Sequence, residues 1–349
     1  MIDYNLLFKK GAFKLSQIEK EKIFFDNISK LNIHHKKNCK EFKLIANSFF
    51  PKEKKKKLEE LPFIHVRLFK EKNLSSVKKG TKISTYNSSG TSSTKLSKIN
   101  IDRFTSLVQS KSLLNILMTV LKTKRKKIYF LESEKKVNEK YYSAKGAAIN
   151  GFKQFADKAE FLLDKNEKLN FKTLKRIKSN EKIIFFGFTN MVWEKLIKTI
   201  IKKKIKFNFK NSILFHGGGW KKLEEKKIRR EKLYGLIHNL LGINQIYDYY
   251  GMIEQTGSIF LECEYGYYHA SIFSEINVRN SKLEICKSNQ KGIIQVSSLL
   301  PTSYPGHNIL TEDLGEIKGI DNCKCGRKGK YFKIHGRLSQ AEIRGCSNV

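Results

Sequence analysis

Between residues 127 and 251 the chain alternates short apolar runs with longer amphipathic ones, and few folds accommodate that alternation. "KIYFL" (127–131), "KIIFFGF" (182–188), "SILFH" (212–216) and "QIYDYYG" (245–251) read as short buried strands. Residues 147–163 ("AAINGFKQFADKAEFLL"), 190–204 ("NMVWEKLIKTIIKKK") and about 221–241 carry helical spacing. Helices that join successive strands make right-handed crossovers, so the strands run parallel under cover on both faces. Such sheets bind ligands beyond the carboxyl ends of their strands. The polar loops at 86–95, 216–220 and 250–257 each follow an expected strand and are expected to meet there.

The flanks have other patterns. Residues 1–60 space Ile18, Ile23, Phe24, Ile28 and Leu31 among lysines and glutamates, which predicts helix. "LPFIHVRLF" (61–69) is expected to be extended, because Pro62 disfavours helix at Leu61. Residues 101–121 return to helical spacing at Phe104, Leu107, Val108, Leu114, Leu117 and Leu121. From about 258 onward, "SIFLECEYGYYHASIF", "KLEICK", "KGIIQVSSL" and "GEIKGI" alternate as antiparallel strands or a small barrel would. The expected division is a helical region at 1–80, an α/β nucleotide-binding body at 81–257, a β-rich part at 258–335, and a hinge with a short tail at 336–349.

A formal charge of +36 suggests a polyanionic partner. Yet the lysines are spread along the whole chain, isoleucine and asparagine are abundant, and proline is scarce at 4. That joint bias is the coding bias of an AT-rich genome, and aromatic residues do not interleave the basic runs as a base-stacking surface requires. No specific nucleic-acid partner is therefore expected, and a basic nucleic-acid-binding protein is kept as the alternative from another class. The longest apolar stretch, "LLNILMTVL" (113–121), is short for a membrane span, and the N-terminus has no signal-peptide pattern, so a cytoplasmic location is expected. In such a compartment the six cysteines read as ligands, nucleophiles or core residues.

"NSSGTSSTK" (87–95) combines a glycine, hydroxyl side chains and a lysine. Glycine lets backbone N–H groups approach an anion, hydroxyls donate to phosphate oxygens, and the lysine neutralises charge. The spacing is not that of a Walker A loop, and a serine-rich linker shares the composition. The loop resembles the phosphate loop of the adenylate-forming superfamily, which includes the acyl-CoA synthetases. "FHGGGW" (215–220), "YYGMIEQTG" (249–257), "TEDLGEI" (311–317) and "HGRLSQAEIRG" (335–345) resemble that superfamily's later motifs, in the same order. With "LPFIHVRLFK", "HGGGWKKL" and "EIRGCSN", the closest likeness is to the acyl-protein synthetases, the fatty-acid-activating subunits of bacterial luminescence systems. Relatives of these proteins occur in surface-polysaccharide gene clusters.

The resemblance implies an α/β, acyl-CoA synthetase-like fold with a truncated C-terminal domain. It implies activation of a carboxylic acid, expected to be fatty, with ATP and Mg²⁺ to acyl-AMP, then transfer to a cysteine thiol and on to an acceptor. A role in surface-polysaccharide or lipid-linked biosynthesis fits the same relatives. By this likeness Ser88, Ser89, Gly90, Thr91, Ser92 and Lys95 would hold the phosphates, and Glu254 the Mg²⁺. Tyr250 and Gly217, Gly218 and Gly219 would face adenine, and Asp313 and Arg337 the ribose. Cys346 would carry the acyl group, the alternative being a tail cysteine without a role. The sequence departs from the pattern at "SSTK", which lacks the usual threonine–glycine pair, and at Ile253, where a threonine is usual. The runner-up is a carboxylate–CoA ligase, in which CoA replaces Cys346 as acceptor.

Cys263 and His269 in "CEYGYYH", with Cys323 and Cys325 in "CKCGRKG", form a three-thiolate, one-imidazole set of the kind that holds structural zinc. Gly326 would let the C-x-C segment turn. Buried thiols and a satisfied core histidine are the alternative.

Overall fold

The computed structural model describes residues 2–50, 55–88, 96–123, 125–139, 143–220 and 228–338. The chain divides into two compact units. The strands in chain order are β1 (Ile64–His65), β2 (Ile83–Asn87), β3 (Lys98–Asp102), β4 (Arg125–Ser133), β5 (Ala156–Leu163), β6 (Ile184–Phe188), β7 (Ile213–Gly217) and β8 (Gln245–Tyr250). They continue as β9 (Phe260–Glu262), β10 (Tyr268–His269), β11 (Ser274–Arg279), β12 (Gly292–Ser298), β13 (Asn308–Ile320) and β14 (Lys330–Arg337).

The first unit to consider is essentially residues 118–251. Its strands β8, β7, β6, β4 and β5 lie side by side and pair in parallel, as the alternating pattern predicts. Successive residues of β6 point to opposite faces. Phe185 packs with Tyr129 in a core cluster that also holds Leu214, Ile197 and Leu233, while Phe186 packs with Phe130, Phe152 and Tyr249. Both faces of β6 are therefore apolar, which is why it reads as an unbroken hydrophobic run.

One element differs from expectation. Helix ends at Lys153, and 156–163 is β5 rather than a continuation. The strand sits at the end of the parallel set and pairs with β4 alone. An edge strand tolerates charge, and Asp157, Lys158 and Glu160 interrupt its apolar residues at a spacing that imitates a helix.

The other unit comprises 1–88, 93–117 and 252–349. Strands β11, β12, β13, β14, β10 and β9 form an antiparallel sheet, and β1 adds to β13 in parallel. The extended segment expected at 61–69 supplies β1, then turns into a short helix, Leu68–Glu71. The N-terminal helices are present as Tyr4–Lys9, Gln17–Asn38 and Lys40–Phe49. Ser16 and Glu19 close a reciprocal capping box at the start of the second.

Helix Arg103–Leu121 meets the length and apolarity of a membrane span, alone among the described helices. Its first turns bury Thr105, Val108, Gln109 and Ser112 and leave Phe104, Leu107 and Leu114 exposed. The buried stripe is thus partly polar, and the helical spacing seen in the sequence includes solvent-facing positions.

Candidate functional site

The expected site residues fall on both units. Ser89, Gly90, Thr91, Ser92, Lys95 and Cys346 lie outside the described residues. Ser88 ends the β2–β3 hairpin, where its N–H donates to the Ser97 carbonyl (3.0 Å) and its Oγ accepts from the Ser97 N–H (3.0 Å). These two bonds close the neck of the hydroxyl-rich loop.

In the parallel unit, Gly217 ends β7 and Tyr250 ends β8, at the carboxyl edge where ligands are expected. A Cβ at Gly217 would lie 2.6 Å from the Tyr249 ring, so only glycine fits. Gly218 (φ +75°) and Gly219 (φ +63°) take left-handed backbone that favours glycine.

Sequence reasoning overlooked His216. It is buried, with Nδ1 3.0 Å from Thr189 Oγ1 and 3.5 Å from Asp248 Oδ1, and Nε2 3.1 Å from the Tyr234 hydroxyl. Thr189, His216 and Asp248 come from the ends of β6, β7 and β8. The signal was the lone polar residue before the glycines of an otherwise apolar strand. An open depression lined by Ser133, Glu134, Glu160, Phe161 and Lys165 belongs to the same unit and holds none of the expected residues.

In the antiparallel unit, Glu254 sits in a single 3₁₀ turn, Ile253–Gln255, and is 5% exposed. The turn is fixed from several sides. Gln255 Nε2 donates to the carbonyls of Val296 (3.1 Å) and Gly306 (2.9 Å), and Thr256 Oγ1 donates to the Ile253 carbonyl (2.8 Å). Gly257, at φ +83°, leaves no room for a Cβ against the Gln109 carbonyl, which would lie at 2.5 Å. Burial pushes the Glu254 carboxyl above the usual range, while the Ser97 hydroxyl and the charges of Lys70 and Arg337 oppose that shift. Ser97, which pairs with Ser88 at the neck of the hydroxyl-rich loop, is a second residue that sequence reasoning overlooked. Asp313 on β13 faces Arg337 on β14 in register, with Nε and Oδ1 3.1 Å apart.

The same unit gathers Cys263, His269, Cys323 and Cys325. One ligand atom from each lies within 4.8 Å of the others. Cys263 follows β9, His269 is on β10, and both other cysteines lie in the β13–β14 turn. The Cys263 and Cys323 sulfurs are 4.0 Å apart, and Cys325 Sγ is 3.4 Å from His269 Nε2. A tetrahedron with zinc–sulfur bonds of about 2.3 Å has ligand separations of roughly 3.8 Å. Gly266 (φ +75°) and Gly326 (φ +79°) form two matching turns, donating to the carbonyls of Cys263 (2.9 Å) and Cys323 (3.0 Å). His269 stacks on Tyr331 at 5.6 Å.

Comparison with solved structures identifies the fold. An open conformation of 2-hydroxyisobutyryl-CoA ligase, in complex with 2-HIB-AMP and CoA, aligns with TM-score 0.74 at 15% identity, over 94% of this chain and 77% of that one. The same ligase in a postadenylation state with 2-HIB-AMP gives 0.72 at 15% identity, over 95% and 70%. ATP-bound MatB from Rhodopseudomonas palustris gives 0.50 at 12% identity over 72% of this chain, which spans only 47% of MatB. At these identities the likeness is one of fold, and it is the mixed α/β fold of adenylate-forming ligases. No curated protein matches the sequence. The profile of the family described as "Acyl-protein synthetase, LuxE" matches residues 2–349. The chain belongs to that acyl-protein synthetase family, as its motifs lead one to expect.

Proposed function

We propose that this protein activates a carboxylic acid with ATP, forming acyl-AMP, and passes the acyl group to a thiol. The observation that carries this reading is Glu254, a buried carboxylate in the expected motif with no ion pair among the described residues. Burying an unpaired carboxylate is costly, so the fold keeps one for a ligand that offsets the cost. Mg²⁺ fits, because it prefers one or two carboxylates with phosphate oxygens, and it would supply charge neutralisation at the triphosphate.

In the first half-reaction a carboxylate oxygen attacks the α-phosphorus. The new C–O–P linkage forms, the α–β phosphoanhydride bond breaks, and pyrophosphate leaves with the electron pair. Two anions must approach each other, so cations and oriented donors dominate the rate. Ser88 and its loop would donate to phosphate oxygens, the Gly217–Gly219 segment and Tyr250 would take the base, and Asp313 would accept from the ribose hydroxyls. In the second half-reaction a thiolate attacks the acyl carbonyl and AMP departs. Cys346 is the proposed thiol, with an acceptor protein next in line. Transfer to CoA is the competing outcome, and it survives Cys346→Ser.

Carboxylate-dependent ATP–pyrophosphate exchange tests the reading across fatty, aryl and amino acids. The expected result is exchange with one acid class and a loss of at least about 100-fold in Glu254→Gln, as for removal of a transition-state electrostatic group. No exchange with any acid overturns it.

The four-residue thiolate and imidazole cluster is assigned a structural zinc ion. Its separations, the burial of three of its four residues and a donor set of four protein ligands favour a closed site. Such a site would tie the β13–β14 turn to β9 and β10.

A further inference from the structure

The segment that runs through β1 into the short helix after it carries chemistry that none of the nucleotide motifs account for. It is fastened along the strand that bears Asp313. Asn308 Nδ2 donates to the carbonyls of Leu61 (3.4 Å) and Pro62 (3.0 Å), Ile64 and His65 pair with Ile309 and Leu310, and the Val66 N–H donates to the Leu310 carbonyl (3.0 Å). Arg67 then forms an ion pair with Glu312, the neighbour of Asp313.

The next turn is fixed against Glu254 by a short chain of contacts. The Phe69 ring meets Tyr304 edge-on at 6.1 Å. Tyr304 and the Glu254 carbonyl close on Gly306 so tightly that a Cβ there would lie 2.4 Å from each. Lys70, the residue after Phe69, is half-buried in this place.

Three cations therefore border the acidic residues of the site. Arg67 is engaged by Glu312 and Arg337 by Asp313. Lys70 has no ion pair among the described residues. A half-buried ammonium without an anion, beside a buried carboxylate that is also unpaired, is a charge arrangement completed by a ligand that carries both negative charge and a divalent cation. Nucleoside triphosphate with its metal is such a ligand, and a lysine meets phosphate as a compact point charge with three donors.

We propose that Lys70 is a catalytic residue of acid activation, its ammonium contacting the phosphates of ATP and neutralising charge as pyrophosphate leaves. This rests on the function proposed above. No proton moves in the step: the α–β bond electrons go to pyrophosphate, and Lys70 stays protonated.

The test compares the wild type with Lys70→Met and Lys70→Arg. Lys70→Met is expected to lose about 100-fold or more in the rate of ATP–pyrophosphate exchange. It should also bind ATP without Mg²⁺ about tenfold more weakly by titration calorimetry, and consume synthetic acyl-AMP with a thiol at the wild-type rate. Lys70→Arg should recover part of the exchange. Exchange by Lys70→Met within threefold of wild type overturns the proposal. So does a loss shared equally by both half-reactions, or the same loss in Lys70→Arg, since either marks a structural role. A wild type that shows no exchange removes the functional reading itself, an outcome separate from failure at Lys70.

Discussion

The two units solve burial in opposite ways. The parallel unit fills both faces of its sheet with aliphatic and aromatic side chains, among them Phe130, Phe152, Phe185, Phe186, Phe215 and Tyr249. Its buried polar side chains include His216 and Thr189 at the carboxyl edge, beside the half-buried Asp248. The antiparallel unit buries polar groups throughout. Lys20 and Glu275 are both nearly inaccessible and 3.3 Å apart, with Lys330 at 3.7 Å from the same carboxylate. His35 stacks on His307 at 4.7 Å, and Glu254 and four cysteines are also out of solvent or nearly so. Apolar burial is non-directional and indifferent to ions, whereas a buried polar group is stable only while its partner is present. The parallel unit should therefore answer to packing changes alone, and the antiparallel unit to metal and protons as well.

Loss of a zinc ligand gives the largest expected effect. Protein purified without added zinc should carry one equivalent, and Cys323→Ser should carry almost none. Binding energies of structural zinc are large, so losing the site should cost about 5 kcal/mol or more and lower the Tm by about 10 °C or more. Hydrogen exchange should localise the loss to β9, β10, β13 and β14. Metal content well under one equivalent in the wild type, or a Cys323→Ser protein as stable as wild type, removes the zinc assignment.

Phe186→Ala probes the other regime. Phe186 is 1% exposed and touches Phe130, Phe152, Phe188 and Tyr249. Truncation should cost about 3–5 kcal/mol, the range for a large aromatic removed from a packed core. Chelator should not change that cost, and neither should a shift from pH 7 to pH 5.5. A chelator-dependent cost would break the contrast between the units.

The same contrast decides what the sequence revealed. Strands β6 and β7 and the centre of β4 were legible because burial on both faces leaves mostly apolar residues there, and β8 because its Ile and Tyr residues outnumber Gln245 and Asp248. The strand β5 was not, since an edge position allows charges whose spacing copies a helix. Among the candidate site residues, Gly217, Glu254, Asp313 and the cysteine cluster were noticed as motif members or as ligand types at workable spacing. Ser97 was not, because a serine in a serine-rich loop carries no pattern, and His216 was signalled only as the lone polar residue of its strand. Lys70 was hidden among 69 Lys and Arg residues, and only the folding of its segment along β13 singles it out. Pairing across distant segments, such as Arg67 with Glu312, has no local signature at all.

Acid gives the smallest of these effects, and it too should be confined to the antiparallel unit. His35 is held by Ser76 Oγ (2.8 Å) and the Pro301 carbonyl (3.1 Å), and His307 by Asn32 Oδ1 (3.0 Å). His34 and the ring of Phe42 also face this pair. Burial holds His35 well below its ordinary range and pushes His307 down to about 3. A histidine kept neutral in the fold contributes stability above its unfolded pKa of about 6.5 and loses it as the pH falls below that value. Each histidine should then cost about 1.4 kcal/mol per pH unit below 6.5, so the pair should cost up to about 3 kcal/mol between pH 6.5 and 5.5. Glu254 acts in the opposite sense, because a raised carboxyl pKa makes the fold more stable as acid neutralises it. Denaturant midpoints measured from pH 7.5 to 5.0 give the slope. His307→Phe, which keeps an aromatic ring in the stack, should reduce it by about half. An unchanged slope in that variant would mean that other groups set the acid limit and that the histidine stack serves packing alone.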